Sequence, residues 1–236
     1  MFTPAWLCNL MNNYCDDDWF GRGSVFNTEN GNHTWSASEG NIIFPKRKKW
    51  QRYVDSRRLE ITCGEAPYLV SRYDVSTGSL IVPPNRRIGI LDRKLRIVNE
   101  NTETYEEWLK WTIRAFEASY GYEYQGDNVL IARINLLLTF TDYYEERWNR
   151  TPDDKLLRRI ANKIAWNIWQ MDGLKNTVPL GKPYEEFKQM TLFDAAHAGE
   201  DAQPEFVPCR IYDWRGKYSM KFMDVKGVSR CRTRTC

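Results

Sequence analysis

The most constraining feature of this sequence is the stretch from Leu59 to Leu69, where a short strand pattern meets a glycine turn. Residues 57–62 favour a β-strand, Cys63 and Gly64 are small, and an apolar stretch follows. Glycine lets the backbone approach a ligand closely, and the acidic Glu60 just before the turn can accept hydrogen bonds. The stretch therefore predicts either an ordinary strand end or one wall of a small-molecule site.

Composition limits the classes of protein to which this chain can belong. It has 236 residues, 42% of them hydrophobic, and 10 tryptophans, which favours a packed core and excludes a disordered chain. The net charge of +3 is too small to indicate a polyanionic partner unless the basic residues cluster. The longest apolar window, residues 129–140, is interrupted by Arg133 and Asn135, and it is too short to span a membrane.

Cysteine and histidine usage argues against a metal centre. The six cysteines form no Cys-x-x-Cys pair, and the two histidines, His33 and His197, lie far apart in the sequence. We therefore expect no zinc site, reduced thiols and a cytoplasmic location, because disulfides persist mainly in oxidising compartments. The amino terminus lacks the cationic start of a secretory signal.

The first part of the chain is expected to be rich in loops. A helix is predicted from Pro4 to about Cys15, followed by an acidic break at residues 16–18. Residues 21–40 contain many glycine, asparagine and serine residues and are expected to form a loop. Residues 42–44 are a candidate strand, and residues 68–73 a candidate helical turn after the glycine turn.

The middle of the chain alternates between helix and strand patterns. Thr104 has the spacing of a helix cap, and Asp153 is a second candidate cap. The helix expected at 129–148 is apolar on most faces, which predicts burial between two layers. Further expected elements are strands at 120–124, 164–171 and 207–214 and a helix from about 151 to 163.

This alternation favours an α/β domain with a mainly parallel sheet flanked by helices. Three candidate strands end near Glu60, Glu123 and Asp172, and ligands of open α/β sheets bind at the carboxyl ends of the strands. Three acids at neighbouring strand ends suit a nucleoside, because one carboxylate can accept both ribose hydroxyls and another an exocyclic amine. The alternative is that each acid only caps a local turn or helix start.

Basic residues form two clusters that could contact the phosphates of DNA. The second cluster is interleaved with apolar residues and is expected to be a loop-rich insertion with a cationic face. The alternative is a solvated, charged surface without a partner. The members of the two clusters are Lys46, Arg47, Lys48 and Lys49, and Arg86, Arg87, Arg93, Lys94 and Arg96.

Four short motifs, taken in order, resemble the cofactor-binding half of adenine-N6 DNA methyltransferases of the gamma arrangement. Phe2-Thr3-Pro4 is similar to the leading motif of that family, and the stretch from Glu60 to Leu69 resembles its first strand motif. Residues 120–137 resemble the second motif, and residues 167–174 resemble the third. Members of the family include phage and bacterial restriction–modification methylase subunits.

The resemblance implies a Rossmann-like S-adenosylmethionine-dependent methyltransferase fold and methyl transfer to adenine in DNA. It implies a single domain over 1–227, comprising an amino-terminal region at 1–56, a cofactor-binding core at 57–174 and a partial second half at 175–227. Residues 228–236 would be an irregular basic tail. The residues that it assigns to S-adenosylmethionine binding are Thr3, Glu60, Cys63, Gly64, Glu123 and Asp172.

The sequence departs from the family pattern at three points. Ala66 replaces the second glycine of the first motif, which would narrow the approach of the cofactor. Glu60 and Glu123 are farther apart in the chain than the roughly 20 residues usual between a glycine turn and its ribose acid. The catalytic Asn/Asp-Pro-Pro-Tyr/Phe motif is missing, and Pro83-Pro84-Asn85 has the wrong order.

The missing motif leaves no residue to nominate as catalytic. That motif makes the adenine amine more nucleophilic and stacks on the flipped base. The resemblance therefore implies a truncated methyltransferase or a chain that is inactive alone. The alternative is a non-enzymatic subunit of a restriction–modification or phage system that binds DNA or another subunit.

Overall fold

The computed structural model describes residues 3–179 and 207–225 of the chain. Within these ranges the helices are α1 Ala5–Phe20, α2 Trp50–Val54, α3 Ile90–Asn101, α4 Tyr105–Glu117, α5 Gly126–Trp148 and α6 Asp154–Asn167, with a short 3-10 helix at Pro84–Arg86. The strands are β1 Asn27–Glu29, β2 Trp35–Ala37, β3 Arg58–Ile61, β4 Ser119–Glu123, β5 Ile168–Gln170, β6 Arg210–Asp213 and β7 Tyr218–Lys221. The predicted tail at 228–236 lies outside the described residues.

Three parallel strands form the central sheet in the order β3-β4-β5. Two helices, α3 and α4, connect β3 to β4, and two more, α5 and α6, connect β4 to β5. Helical crossovers are needed because parallel strands cannot be joined by a tight turn. The predicted α/β class with a parallel sheet flanked by helices is therefore confirmed, and this arrangement is compatible with a Rossmann-like fold.

The two faces of this sheet are covered by different layers. Helices α3 to α6 share the main hydrophobic core with residues of the amino-terminal region such as Phe20, Phe26 and Tyr53. The antiparallel hairpin of β6 and β7 covers the opposite face. There Tyr120 and Trp169 pack in a second, smaller core, whose other buried members are Met171, Cys209 and Phe222.

The first helix extends beyond the predicted end at Cys15. The expected acidic break at residues 16–18 is wrong, because Asp16 is buried and paired with Arg93 at 2.6 Å. The hydroxyl of Tyr53 also donates to Asp16, at 2.8 Å. Helix α1 ends instead at Phe20 and is capped by Gly21, which has the left-handed conformation that favours glycine.

The cationic face predicted for residues 86–96 is wrong. This segment is mainly helix α3 rather than a loop-rich insertion, and Arg87, Arg93, Lys94 and Arg96 are all buried. Buried charges need partners, and each of these side chains finds them inside the protein. Only Arg86 of that cluster is exposed.

The partners of these buried cations come from distant parts of the chain. Arg93 pairs with Asp16, and Arg87 pairs with Asp142 at 2.7 Å. Arg96 pairs with Glu100 at 2.7 Å and also donates to backbone carbonyls of the β1–β2 region. The ammonium group of Lys94 donates to the carbonyls of residues 56 and 118 and to the hydroxyl of residue 119.

Several shorter expectations differ from the structure. Residues 21–40 contain the β1–β2 hairpin rather than only loop, while residues 42–44 form no strand and residues 68–73 form no helix. Helix α6 runs to Asn167, so the strand predicted at 164–171 is only Ile168–Gln170. The strand predicted at 207–214 is Arg210–Asp213 and belongs to the hairpin.

Helix α5 is only partly buried between layers. It spans Gly126–Trp148, close to the predicted bounds, and buries Leu136 and Phe140 in the core. Leu130, Ile134 and Leu138, however, are exposed along its outer side. Among the residues that the structure describes, no helix is long and apolar enough to cross a membrane.

Candidate functional site

The candidate site begins where β3 ends and the chain turns sharply. The amide of Cys63 donates to the carbonyl of Tyr122 at 2.8 Å, which extends the contact between β3 and β4 past the last paired residue. Thr62, Gly64 and Ala66 all have positive φ angles, of 47°, 53° and 66°. The turn lies at the carboxyl end of the sheet, where α/β folds bind ligands. Its amides at positions 63, 64 and 66 already donate to acceptors inside the protein.

Glu123, at the end of β4, is tied to this turn. One carboxylate oxygen of Glu123 accepts a hydrogen bond from the amide of Gly64 at 2.9 Å, and the other accepts one from the amide of Gln125 at 3.1 Å. Only 8% of Glu123 is exposed. The acid predicted to bind a ribose therefore also fixes the glycine turn of the neighbouring strand.

Glu60 holds the other side of the same turn. Its carboxylate oxygens lie 3.3 Å from the amide nitrogen of Tyr68 and 3.1 Å from that of Leu69, and both amides donate to it. Burial raises the pKa of Glu60 to about 8, the two amide hydrogen bonds oppose this effect, and the nearby Glu123 adds to it. Glu60 therefore holds its proton to a higher pH than an ordinary carboxyl group does.

A cavity of about 600 Å³ opens beside this turn. It brings together four of the predicted cofactor residues, which are Thr3, Glu60, Cys63 and Gly64. Cavities of a few hundred Å³ with a few convergent polar groups are typical of small-ligand sites. Glu123 does not line the cavity itself, but its hydrogen bond to Gly64 places it against the same turn.

Asp172 lies at the same edge of the sheet but does not line this cavity. The amide of Met171 donates to the carbonyl of Glu123 at 2.9 Å, so the ends of β4 and β5 are adjacent. The Oδ1 atom of Asp172 accepts from the amides of Leu174 and Lys175, at 3.0 and 3.1 Å. For Asp172, the alternative of local capping therefore describes its present contacts.

Ala66 does not narrow the cavity in the way the sequence suggested. Its side chain is fully buried in the main core and is absent from the cavity lining. The cost of alanine at this position is instead conformational, because a positive φ is unfavourable for a residue with a Cβ atom. The departure from the glycine pattern thus leaves the approach to Gly64 open, and a Cβ built on Gly64 itself would meet nothing within 4 Å.

Two features of the site had not been predicted from the sequence. Tyr68 and Met11 line the cavity, and α1 is anchored beside it by Asn12, whose amide donates to the carbonyls of Tyr68 and Ile88. The turn is also braced by Tyr73, whose hydroxyl donates to Glu65 at 2.6 Å. The sequence did offer one signal for the α1 contact. Asn12 is a polar residue among the apolar positions of the predicted helix, and a buried amide needs hydrogen-bond partners.

The amino-terminal basic cluster remains at the surface. Lys46, Arg47 and Lys49 are exposed, whereas Lys48 donates to the carbonyl of Trp19 and lies 4.7 Å from the centre of its ring. Of the nine cations considered as DNA contacts, these three and Arg86 are therefore the exposed ones.

Two larger cavities lie elsewhere in the described structure. A polar cavity of about 880 Å³ lies between the β1–β2 hairpin, α3 and α5, and one of about 800 Å³ lies beside α4. Residues 3–179 and 207–225 contain no cluster of three or more side chains that could hold a metal ion. No family model, curated protein or solved structure matches the chain.

Proposed function

We propose that the chain binds S-adenosylmethionine in the cavity beside the Gly64 turn and functions as a methyltransferase-like protein of the adenine-N6 DNA class. The observation that carries this proposal is the meeting of Thr3, Glu60, Cys63 and Gly64 around one cavity, with Glu123 bonded to the same turn. The fold would then be a Rossmann-like methyltransferase fold in which β3, β4 and β5 supply the cofactor-binding half.

The proposal gives each of these residues a role in binding the cofactor. The Glu60 carboxyl faces the cationic methionine end of the cofactor, which the Thr3 region also contacts, while Cys63 and Gly64 present backbone to the ligand. Glu123 accepts hydrogen bonds from the ribose hydroxyls, as an acid at this place does in dinucleotide-binding folds. Asp172 lies at the same edge of the sheet outside the cavity lining, and it would accept the adenine amine through Oδ2, which is 3.8 Å from the ammonium group of Lys175.

The cofactor, when bound, would supply an electrophilic methyl group, but activation of the adenine amine needs further residues. The sequence lacks the Asn/Asp-Pro-Pro-Tyr/Phe motif that performs this step in the family that it resembles. We therefore propose that the chain holds the cofactor and that methyl transfer to DNA requires catalytic residues in addition to those of the cofactor site.

Isothermal titration calorimetry with S-adenosylmethionine and S-adenosylhomocysteine tests this proposal. We expect saturable binding to the full chain and at least a tenfold loss of affinity in Glu123→Ala. The substitution removes both the carboxylate that bonds to the Gly64 amide and the proposed acceptor for the ribose hydroxyls. The exposed Glu145, which lies outside the cavity, provides the matched control Glu145→Gln. Absence of binding at millimolar ligand, or equal binding by Glu123→Ala, contradicts the proposal.

A second candidate function is that of a non-enzymatic subunit that binds DNA or another subunit of a restriction–modification or phage system. The exposed Lys46, Arg47 and Lys49 favour it, since clustered surface cations bind phosphates without a catalytic site. Salt-sensitive DNA binding that survives combined Glu123→Ala and Asp172→Asn substitutions would support this function over the first.

A further inference from the structure

Strand β3 has one paired edge and one open edge. It pairs with β4, and no other strand among residues 3–179 and 207–225 pairs with it. The amide of Arg58 donates to the carbonyl of Ala118 on the β4 side, at 3.0 Å. Because successive residues of a strand direct their backbone groups to opposite edges, the N–H and C=O groups of Leu59 and Ile61 point away from β4. The Ile61 carbonyl accepts from the Thr62 hydroxyl at 2.7 Å. The N–H groups of both residues and the Leu59 carbonyl have no backbone partner among the described residues, and such groups are a template for another strand.

The side chains of this edge are apolar and exposed. Leu59 is 45% exposed and Ile61 is 62% exposed. They lie on the same face of the sheet as Tyr120 and Tyr122, their partners in the register. The β6–β7 hairpin covers that face over β4 and β5. Over β3 the same face is not covered by any described part of the chain.

The open edge forms the floor of a groove. Consecutive residues from Arg58 to Thr62 line the same cavity of about 600 Å³, although they point alternately to the two faces of the sheet. Residues of both faces can line one cavity only if that cavity runs along the strand edge. Met11 of α1, which is 50% exposed, forms one wall, and Glu65 together with residues 67–69 forms the other.

The charge at one end of the groove restricts what can bind there. Arg58 lies at the start of β3 and lines the groove, and within the described residues its guanidinium has neither a salt bridge nor a side-chain hydrogen bond. Glu60 and Glu65 also line the groove, but backbone amides donate to the first carboxylate and a tyrosine hydroxyl to the second. Leu59 and Ile61 provide the apolar part of the groove. A complementary segment is therefore extended, apolar at alternate positions and acidic at the end that meets Arg58.

We propose that the open edge of β3 is a docking site for such an extended acidic–apolar segment of a partner protein, which adds a strand next to β3. The backbone pairing would provide affinity, and the contacts with Leu59, Ile61 and Arg58 would provide specificity, as in other cases of strand addition. The proposal does not depend on cofactor binding, which concerns the carboxyl end of the same cavity.

Two synthetic octapeptides test the docking site with the full chain. Their sequences are acetyl-Asp-Glu-Ile-Thr-Val-Thr-Ile-Thr-amide and the reversed sequence, so that the acids can meet Arg58 in either strand direction. We expect one of them to bind and to slow amide hydrogen exchange at Leu59 and Ile61 at least tenfold while changing Glu60 little. The same peptide with alternate backbone nitrogens methylated is expected to bind at least tenfold more weakly, because it cannot donate to the edge.

A pair of variants separates the edge from general surface hydrophobicity. Ile61→Lys should lower the affinity for the peptide at least tenfold and leave the melting temperature unchanged. The matched control is Leu130→Lys, since Leu130 is 59% exposed but lies on helix α5. It should bind the peptide like the unmodified chain.

Several outcomes overturn the proposal. If the amides of Leu59 and Ile61 already exchange slowly in dilute protein without peptide, the chain covers its own edge. Protection that appears only as protein concentration rises would mean that a second copy occupies it. Equal binding by the methylated peptide, or no binding by either peptide, would exclude strand addition. These experiments are done without S-adenosylmethionine. A negative result would therefore not contradict the cofactor proposal, which is tested separately by calorimetry.

Discussion

The Glu123 carboxylate accepts a hydrogen bond from the amide of Gly64 at 2.9 Å, which joins the end of one parallel strand to the turn after its neighbour. The two residues are separated by 59 positions in the sequence. The φ of Gly64 is +53°, a conformation that the turn needs in order to direct its amide toward β4. A ligand at the carboxyl end of the sheet would therefore meet a turn that is already held in place.

Replacing Glu123 is expected to loosen this turn. Glu123→Ala leaves the amides of Gly64 and Gln125 without an acceptor in a largely buried place, which should lower the free energy of unfolding by about 1–3 kcal/mol. Glu123→Gln keeps one acceptor oxygen and should lose less. Urea denaturation of both variants measures the difference. An alanine variant as stable as the unmodified chain would mean that water replaces the carboxylate at no cost.

Local sequence patterns predicted the parts of the fold that depend on local contacts. The Thr104 hydroxyl caps α4 by accepting from the amide of Glu107, and the Asp153 carboxylate caps α6 by accepting from that of Leu156. Strand β4 and helix α5 also formed close to their expected bounds. Each of these features depends on residues that are close together in the chain, so it can be predicted from the local sequence alone.

The buried cations show what local patterns cannot supply. The partner of Arg93 is Asp16, which is 77 positions away. Lys94 donates to two backbone carbonyls and one hydroxyl from other parts of the chain. A basic residue within an apolar segment is predicted to be exposed, because its buried partner is distant in the sequence and cannot be identified from the local pattern. The predicted cationic face at residues 86–96 was wrong for this reason.

The candidate site was predictable in its strand ends and less so in its walls. Glu60, Cys63 and Gly64 were found from the order of strand, acid and glycine, and they line one cavity. Tyr68 and Met11 reach that cavity through the path of a loop and the packing of α1, which no periodicity indicates. The side chain of Asp172 accepts a hydrogen bond from the amide of Leu174 in the turn that follows it. Whether an aspartate caps its own turn or faces a cavity depends on local geometry, which the residue type does not reveal.

The buried pair of Asp16 and Arg93 gives a prediction about stability. Asp16→Asn leaves the Arg93 guanidinium buried without a counter-charge, which should lower the free energy of unfolding by about 3–5 kcal/mol. Asp18 is exposed two residues away, so Asp18→Asn is a matched control that should change stability by less than about 0.5 kcal/mol. Chemical denaturation measures both. A small effect of Asp16→Asn would show that Arg93 does not need the ion pair.

The raised pKa of Glu60 predicts a stability that depends on pH. Since its pKa rises from 4.5 to about 8 on folding, the folded chain holds this proton more tightly than the unfolded chain does. The resulting stabilisation is complete below pH 4.5 and is lost as the pH rises towards 8. Glu60→Gln cannot ionise and should not show this loss.

The measurement is the free energy of unfolding of both proteins at pH 5 and pH 9. The difference between them should move in favour of Glu60→Gln by about 1–3 kcal/mol, a value reduced from the full shift because the side chain borders an open cavity. Glu145→Gln should show no such pH-dependent difference, as Glu145 is exposed. Parallel pH profiles for Glu60→Gln and the unmodified chain would mean that Glu60 keeps its ordinary pKa.

The exposed basic cluster gives a prediction about DNA binding. Each phosphate contact by a cation releases counterions, so the logarithm of affinity falls with the logarithm of salt concentration at about 0.9 per contact. If Lys46, Arg47 and Lys49 contact DNA, their combined replacement by methionine should reduce this slope by about 2 to 3. Fluorescence anisotropy with a labelled duplex at several salt concentrations measures it.

The control for this experiment needs the same change of net charge on another surface. Helix α6 offers Lys155, Arg158 and Arg159, which are also exposed. Their triple replacement by methionine should leave the slope nearly unchanged, because a specific contact depends on where the cations lie rather than on net charge alone. Equal losses in both triple variants would indicate diffuse attraction by the whole protein, and the assignment of DNA contacts to residues 46–49 would be wrong.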